Sequence, residues 1–283
     1  MKSALKVALT HDVDRVHKTY QYITYFIKAL KSRDSRSVLY QMTSFLEKKT
    51  FWNFEKIIEF EDRCKVKSTF FFLNESVPFK LFQPSKWTLS LGRYNIESEE
   101  IVQVIQEIDT AGWEIGVHGS FLSYNNEKLL RHEKKVLARI VGHPVFGIRQ
   151  HYLNLSSETW QLQKDIGFKY DTSLGFRNDI GFPQAKPFLP FNDNFVVFPL
   201  VIMDTFFMQY PSHNWKKFSE LIQICKDNNS VIVLDWHNSV YHEREYPGYF
   251  DTYREIIKLL KKEGAHFDTL LNYYNHFEEY FIQ

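Results

Sequence analysis

The 283-residue sequence contains only two cysteines, Cys64 and Cys225, which lie far apart and form no CxxC pattern. A framework of disulfide bonds and a zinc site built from cysteine are therefore excluded. The sequence also lacks any uninterrupted apolar stretch close to the roughly 20 residues that cross a bilayer as a helix. Because Met1 to Ala4 lead directly into an apolar segment of strand length, we expect no signal peptide and a cytoplasmic location.

Neither sign of charge predominates, since the sequence contains 35 Lys and Arg and 34 Asp and Glu, for a formal net charge of +1. With these charges spread along the chain, we expect neither nucleic acid nor an anionic membrane as a partner. Internal repeats, low-complexity segments and flexible linkers are absent as well. A chain of this length, 44% hydrophobic and 17% aromatic, can bury a large core, which predicts one domain over residues 1–283.

Apolar runs of strand length alternate with segments of helical periodicity, which predicts βα units and a parallel sheet. The predicted strands lie near residues 5–11, 67–73, 113–118, 145–149, 168–171, 195–202 and 231–236, with a further one near 265–268. The predicted helices are Glu97–Ala111, Asn126–Val141, Ser156–Ile166, Trp215–Lys226 and Tyr249–Glu263. Seven or eight such units indicate a closed or nearly closed α/β barrel.

About fifty residues separate the first two predicted strands, far more than one crossover helix needs. Aromatic and basic residues recur there at helical spacing. We therefore predict a helical insertion at residues 16–65 with two or three helices, which caps a site or binds a partner.

Side chains with acid, base or ligand chemistry stand at or just past several predicted strand ends: Asp12, Asp14, His118, Arg149, His151, Tyr152, Asp171 and His237. Each has an ordinary structural explanation, as a helix N-cap, a hydrogen-bonded core histidine, an ion-pair partner or a turn former. The carboxyl ends of parallel strands, however, meet at one edge of a sheet or barrel. Their joint placement therefore favours a single site.

These segments resemble, in order, the motifs of the polysaccharide deacetylases, which are metal-dependent carbohydrate esterases built on a distorted (β/α) barrel of seven or eight strands. The matching segments are Thr10–Asp14, His118–Ser120, Arg149–Tyr152, Tyr170–Ser173 and Leu234–His237. The resemblance spans nearly the whole chain and points to a divergent branch found among bacterial surface-polysaccharide proteins. It implies removal of an N- or O-linked acetyl group from a sugar or sugar precursor.

The resemblance implies a divalent cation, zinc above all, with Asp14 and His118 as ligands. The family usually supplies a second histidine four residues after the first, where this sequence has Leu122. His151 stands where the family usually has proline, so its imidazole is the candidate for the missing ligand. The alternative is that His151 only packs or lines the sugar pocket. Weaker substitutes are Ser123, His11 and Asn126.

The remaining roles implied by the resemblance are catalytic. Asp12, oriented by Arg149, would accept the proton of the attacking water. The backbone N–H of Tyr152 would hold the oxyanion, and His237 would protonate the leaving group. Two carboxylates are candidates for holding the protonated His237 in orientation: Asp171 and Asp204.

Two other functions stay open from the sequence. The carboxylate pair with one residue between its members also occurs in a neighbouring branch that hydrolyses small cyclic amides or ureides. The third possibility is a barrel that has lost its metal and binds carbohydrate without catalysis, because the second ligand histidine is missing.

Overall fold

A computed structural model describes residues 4–47, 49–83 and 86–282 of the chain. In these residues nine strands form one sheet, and all of its strand pairings are parallel. The strands are β1 (Lys6–Val13), β2 (Ser68–Leu73), β3 (Glu114–Gly119), β4 (Gly147–Gln150), β5 (Tyr170–Asp171), β6 (Val196–Val197), β7 (Leu200–Met203), β8 (Val231–Asp235) and β9 (His266–Phe267).

The sheet follows the order β6-β5-β4-β3-β2-β1-β8-β7, and β9 pairs with the start of β1. Strands β6 and β7 occupy opposite edges of this path, although only Phe198 and Pro199 separate them in sequence. Two residues span about 10 Å at most, so the sheet must curl until its edges approach. The predicted distorted (β/α) barrel of seven or eight strands is thus confirmed. The strand predicted near 195–202 is instead two strands, because Pro199 has no N–H to continue the ladder.

The helices are α1 (Gln21–Ser32), α2 (Ser35–Thr43), α3 (Phe54–Cys64), α4 (Trp87–Gly92), α5 (Glu99–Thr110), α6 (Glu127–Val141), α7 (Thr159–Ile166), α8 (Asp204–Phe207), α9 (Pro211–Asp227), α10 (Tyr249–Lys262) and α11 (Leu270–Asn275). The five predicted amphipathic helices correspond to α5, α6, α7, α9 and α10. The predicted helical insertion contains α1, α2 and α3. The short helices α4, α8 and α11 were not predicted, because four to six residues display too little of a 3.6-residue period.

Helix α9 begins at Pro211, four residues before the predicted start at Trp215. Proline suits the first helical turn, since it has no N–H to leave unpaired there and its φ is already helical.

Side-chain alternation along the strands divides the core into two layers. On β1, Val7 and Leu9 pack between the sheet and the helices, whereas Ala8 packs inside the barrel. Residues two and four positions after Ala8 on the strand, Thr10 and Asp12, face the same interior. The inner layer continues into α11, where Leu270 and other side chains close the end of the barrel near the start of β1. The carboxyl ends of the strands lie at the opposite end.

Candidate active site

Two carboxylates from the end of β1 lie at the carboxyl end of the barrel. Asp12 is the penultimate residue of β1 and is buried, and Asp14 directly follows the strand. With one residue between them in an extended segment, their side chains point to the same side. Asp12 therefore lies deeper in the barrel and Asp14 nearer its mouth, with 17% of the Asp14 side chain exposed.

Two histidines converge on one oxygen of Asp14. His118 from β3 places Nε2 at 3.1 Å from Asp14 Oδ1, and His151 places Nε2 at 3.5 Å from the same atom. Asp14 Oδ1 is buried and has no hydrogen-bond partner among the described residues. Burial by itself raises the pKa of Asp14, but His151 and His118 outweigh it and hold that pKa well below its ordinary value.

The orientation of His118 is set by the neighbouring strand. Its Nδ1 lies 2.9 Å from the backbone carbonyl of Arg149 on β4. A carbonyl oxygen only accepts hydrogen bonds, so Nδ1 carries a proton and Nε2 is the ring nitrogen that faces Asp14. This is the arrangement by which proteins usually fix the tautomer of a metal-binding histidine.

His151 is aimed by an irregular turn that follows β4. It opens the short 3-10 segment His151–Leu153, in which Tyr152 has φ +58° and Leu153 has φ +54°. Two consecutive non-glycine residues in the left-handed region are unusual and strained, a feature that often marks functional sites. Behind the ring, Glu75 Oε2 lies 3.9 Å from His151 Nδ1, beyond direct hydrogen-bond range but close enough for charge attraction.

Burial by itself lowers the pKa of His151, yet the carboxylates of Asp14 and Glu75 raise it to about 9. Glu75 was not among the predicted site residues. It stands two residues past the end of β2, so applying the strand-end rule to β2 would have found it.

The donor set of Asp14, His118 and His151 fits zinc. Two ligands of a tetrahedral zinc ion, each about 2.0–2.2 Å from it, lie about 3.3 Å apart. The separations of 3.1 and 3.5 Å around Asp14 Oδ1 match that spacing. His151 thus lies close enough to Asp14 and His118 to be the third donor, whereas Leu122 is 41% exposed.

Asp12 is held by a fully buried arginine. Arg149 Nη1 donates to Asp12 Oδ1 at 2.8 Å and to Thr10 Oγ1 at 2.7 Å, and Arg149 Nε donates to the carbonyl of Thr172 at 3.1 Å. Burial by itself raises the pKa of Asp12, but Arg149 and His118 bring it below its ordinary value. Asp12 is therefore an ionised carboxylate with a fixed orientation beside the Asp14 cluster.

Asp235, the last residue of β8, lies in the motif segment Leu234–His237 but has no predicted role. Its Oδ1 accepts from the backbone N–H of Asp12 and from Arg149 Nη1, each at 3.1 Å. Burial and the adjacent Asp12 carboxylate raise its pKa to about 7. Because Asp235 precedes His237 by two positions at a strand end, side-chain alternation was the signal that could have indicated it.

His237 faces the cluster from the other side. Its Nδ1 lies 2.9 Å from Asp204 Oδ2, and its backbone N–H donates to the same carboxylate at 2.7 Å. Its Nε2 points towards the site, 3.7 Å from Asp14 Oδ2. Burial by itself lowers the pKa of His237, but Asp204 and Asp235 raise it well above its ordinary value.

The suggestion that Asp171 orients His237 needs correction. Both carboxylate oxygens of Asp171 are occupied by other groups, and His237 is not among its described contacts. The donors to Asp171 are Ser173 N at 2.8 Å, Ser173 Oγ at 2.6 Å, Gln163 Nε2 at 2.9 Å and Trp160 Nε1 at 3.2 Å. Asp171 therefore braces the turn after β5. Asp204 holds His237, and Asp235 Oδ2 lies farther away, 3.4 Å from the same Nδ1.

A family model described as "WbmS-like: Polysaccharide deacetylase" matches residues 97–243, which is just over half of the chain. The chain belongs to the WbmS-like polysaccharide deacetylases. The matched region of this polysaccharide deacetylase contains His118, Arg149, His151, Asp204 and His237. Asp12 and Asp14 lie before it and are connected to it by the barrel.

Solved structures share the fold of this polysaccharide deacetylase at low sequence identity. A polysaccharide deacetylase from Mycobacterium smegmatis aligns with a TM-score of 0.60 and 18% identity, covering 98% of this chain and 91% of that one. A Puue allantoinase aligns with a TM-score of 0.61 and 12% identity, covering 97% and 90%. The Xyl-CE4 domain of a multidomain xylanase from the hindgut metagenome of Trinervitermes trinervoides aligns with a TM-score of 0.52 and 14% identity, covering 96% and 90%.

No curated protein matches the chain. Among the described residues of this polysaccharide deacetylase, none of the helices has both the length and the apolar character needed to span a bilayer.

Proposed function

We propose that this protein is a metal-dependent deacetylase that hydrolyses an N- or O-linked acetyl group of a sugar or sugar precursor in surface-polysaccharide metabolism. The observation that carries the proposal is the convergence of His118 and His151 on one unpaired oxygen of Asp14, beside a second carboxylate held by a buried arginine. Membership of the polysaccharide deacetylase family supports the reaction class.

Asp14, His118 and His151 would hold the divalent cation, which we propose to be zinc. When bound, such a cation lowers the pKa of a water molecule and polarises the acetyl carbonyl. Contacts within the chain orient the two histidine ligands before a cation binds. The Arg149 carbonyl fixes the tautomer of His118, and Glu75 stands behind His151 in the place where metal-binding histidines usually have a carboxylate.

Asp12 serves as the general base. Its carboxylate lies 3.7 Å from His118 Nε2 and so borders the ligand cluster, where it can take a proton from the attacking water. Arg149 keeps Asp12 ionised. It binds Asp12 Oδ1, which leaves Asp12 Oδ2 available to face the water. The pKa of the neighbouring Asp235 is raised to about 7, because burial and the adjacent Asp12 carboxylate disfavour a second ionised carboxylate there.

His237 serves as the general acid. Asp204 holds Nδ1 and stabilises the imidazolium, so that Nε2 presents the proton to the departing sugar oxygen or nitrogen. The backbone N–H of Tyr152 donates to the oxyanion of the tetrahedral intermediate. Each group thus acts from a different strand end around the same space.

The test joins metal analysis to an acetate assay. Protein purified without chelator should hold one equivalent of divalent cation, and Asp14→Asn should remove it. Asp12→Asn should keep the cation but release acetate from acetylated sugars about 10²–10⁴-fold more slowly, because a positioned general base contributes roughly that much. Asp109→Asn, which alters a carboxylate that pairs with His143 instead, is the matched control.

The possible outcomes separate the three candidate functions. Ring opening of a cyclic amide or ureide without acetate release would assign the neighbouring hydrolase activity. A parent protein that binds acetylated sugar but holds no cation and releases no acetate would be the inactive carbohydrate-binding relative. Either result overturns the proposal.

A further inference from the structure

The two helices that follow β1 form a unit held to the barrel by one face. We call residues 21–46 the helical hairpin; it comprises α1, α2 and the 3-10 turn Ser44–Leu46. The Tyr25 hydroxyl of α1 pairs with the Tyr246 hydroxyl at 2.6 Å, and Gln41 of α2 donates to Glu245 at 2.9 Å. Both helices therefore contact the same loop before α10, and their opposite faces point away from the barrel.

The outward faces of the hairpin are apolar. Its exposed large apolar side chains, each 44–69% accessible, are Ile23, Ile27, Leu30, Leu39, Met42, Phe45 and Leu46. On α1 they recur at positions i, i+4 and i+7, which places them on one side of the helix. These few residues hold seven of the sixteen exposed large apolar side chains in the described part of the chain. Such a concentration marks an interaction surface.

The same hairpin is basic. Residues 21–46 contain four basic side chains, Lys28, Lys31, Arg33 and Arg36, against one acidic side chain, Asp34, for a net charge of +3. The whole chain carries only +1. All four cations are exposed, and none forms a salt bridge with another described residue. The nearly neutral chain therefore contains a local excess of positive charge. The even distribution of charge that we expected along the chain is wrong for this hairpin.

We propose that the helical hairpin binds the surface of an anionic lipid bilayer. Exposed Ile, Leu, Met and Phe side chains would enter the headgroup region, while the cations would lie against anionic headgroups. This combination on a helix pair is typical of peripheral membrane attachment. A second copy of the chain is a poorer occupant, because a symmetric contact would set one +3 patch against another.

The hairpin adjoins the mouth of the active site. A second group of exposed apolar side chains follows β2 at the same end of the barrel: Phe79, Leu81, Phe82 and Leu91. Gly92 at the end of α4 packs against Arg15, and the Arg15 guanidinium lies 5.5 Å from the Tyr20 ring that precedes α1. Docking would thus bring the site to acetylated saccharides anchored in the membrane by a lipid. That substrate class rests on the proposed function, whereas the docking itself does not.

Flotation of the full chain with vesicles tests the proposal. We expect binding to phosphatidylcholine vesicles containing about 30% phosphatidylglycerol to be at least about tenfold tighter than to phosphatidylcholine alone, and to weaken as salt is added. Lys28→Glu with Lys31→Glu, or Ile27→Ser with Leu30→Ser, should each reduce binding about tenfold or more. The matched control is Lys258→Glu with Ile224→Ser, which changes the same residue types at exposed positions of α10 and α9.

Failure of the parent to bind anionic vesicles, or unchanged binding by both hairpin variants, would overturn the proposal. So would a concentration-dependent dimer that the same substitutions disperse without any vesicle binding. Acetate release from a soluble acetylated sugar is measured in parallel, and the hairpin variants should keep it. Vesicle binding without acetate release would contradict the proposed function alone, and acetate release without vesicle binding would contradict docking alone.

Discussion

At the scale of single residues, Asp204 and Asp171 show that an equally buried carboxylate can have quite different neighbours. Asp204 contacts both the backbone N–H and the Nδ1 of His237, whereas Asp171 accepts hydrogen bonds from Ser173, Gln163 and Trp160. Only the first arrangement can hold an imidazolium in orientation. The two residues therefore form a natural pair of test and control.

We predict that Asp204→Asn lowers kcat for acetate release about 10²–10⁴-fold while leaving the metal content unchanged. Without the negative charge of Asp204 the imidazolium form of His237 is less stable, and the asparagine amide can favour the wrong tautomer of His237. Steady-state kinetics with metal analysis check this. Asp171→Asn should lower the free energy of unfolding but leave kcat of the folded protein within about threefold, since it touches no reacting group. Equal losses of kcat in both variants would refute the distinction.

A second prediction for a single residue concerns Tyr152. Its φ of +58° is a conformation that glycine adopts without strain, and its proposed catalytic group is the backbone N–H. Tyr152→Gly should keep kcat within about threefold but raise KM several-fold, because the half-exposed ring is lost as a stacking surface for sugar. Tyr210→Gly, which removes another exposed tyrosine, should change neither value. A fall of kcat by about 100-fold would assign the catalytic role to the side chain.

At the scale of elements, α6 is joined to the segment after β3 by a buried carboxyl group. Glu133 accepts from the backbone N–H of Ser120 at 3.2 Å and also contacts the Ser120 hydroxyl. Burial raises the pKa of Glu133 to about 8, from an ordinary value of 4.5. The folded state therefore binds a proton that the unfolded state releases between these two pH values.

This linkage has a definite sign. The contribution of Glu133 to stability is fully present below pH 4.5 and is lost as the pH rises towards 8, at up to about 1.4 kcal/mol per pH unit. Glu133→Gln, which mimics the protonated form, should remove that decline. Urea unfolding of parent and variant from pH 5 to pH 8 measures it as a widening difference in favour of the variant. Glu127→Gln, on the exposed side of the same helix, should show no such divergence.

At the scale of the whole molecule, the proposed ligands come from three separate parts of the chain. Asp14 follows β1, His118 lies on β3 and His151 follows β4. A cation bound to all three would join these strand ends in the folded state, and no such site exists in the unfolded chain. Metal binding and global stability should therefore be coupled.

We predict that zinc at about 100 times its dissociation constant raises Tm by about 5 °C or more, since ligand binding then stabilises the fold by about 2.7 kcal/mol. Differential scanning calorimetry checks this. Magnesium at the same concentration should have little effect, because it prefers oxygen ligands in octahedral geometry. His151→Ala should abolish most of the zinc shift if His151 is a ligand. An undiminished shift would show that it only lines the pocket.

Much of the site could be predicted because strand ends are visible in a sequence. Asp12, His118, Arg149 and His237 each follow or end an apolar run, and the parallel barrel brings such ends together whatever the loops do. Glu75 lies in none of the matching motifs, and Asp235 lies in one but had no predicted role, although strand position and alternation indicated both. Trp236 and Tyr241 follow β8 close to the site, yet both are fully buried core residues.

The sequence by itself determined the barrel, the order of its strands along the chain and the face on which the reactive side chains lie, because these follow from local periodicity of two and 3.6 residues. Tertiary structure alone decided the partners. It placed His151 beside Asp14, paired His237 with Asp204, and brought exposed apolar and basic side chains together on one hairpin. These contacts join residues tens to hundreds of positions apart, and their distances depend on how the sheet curls, which no local pattern records.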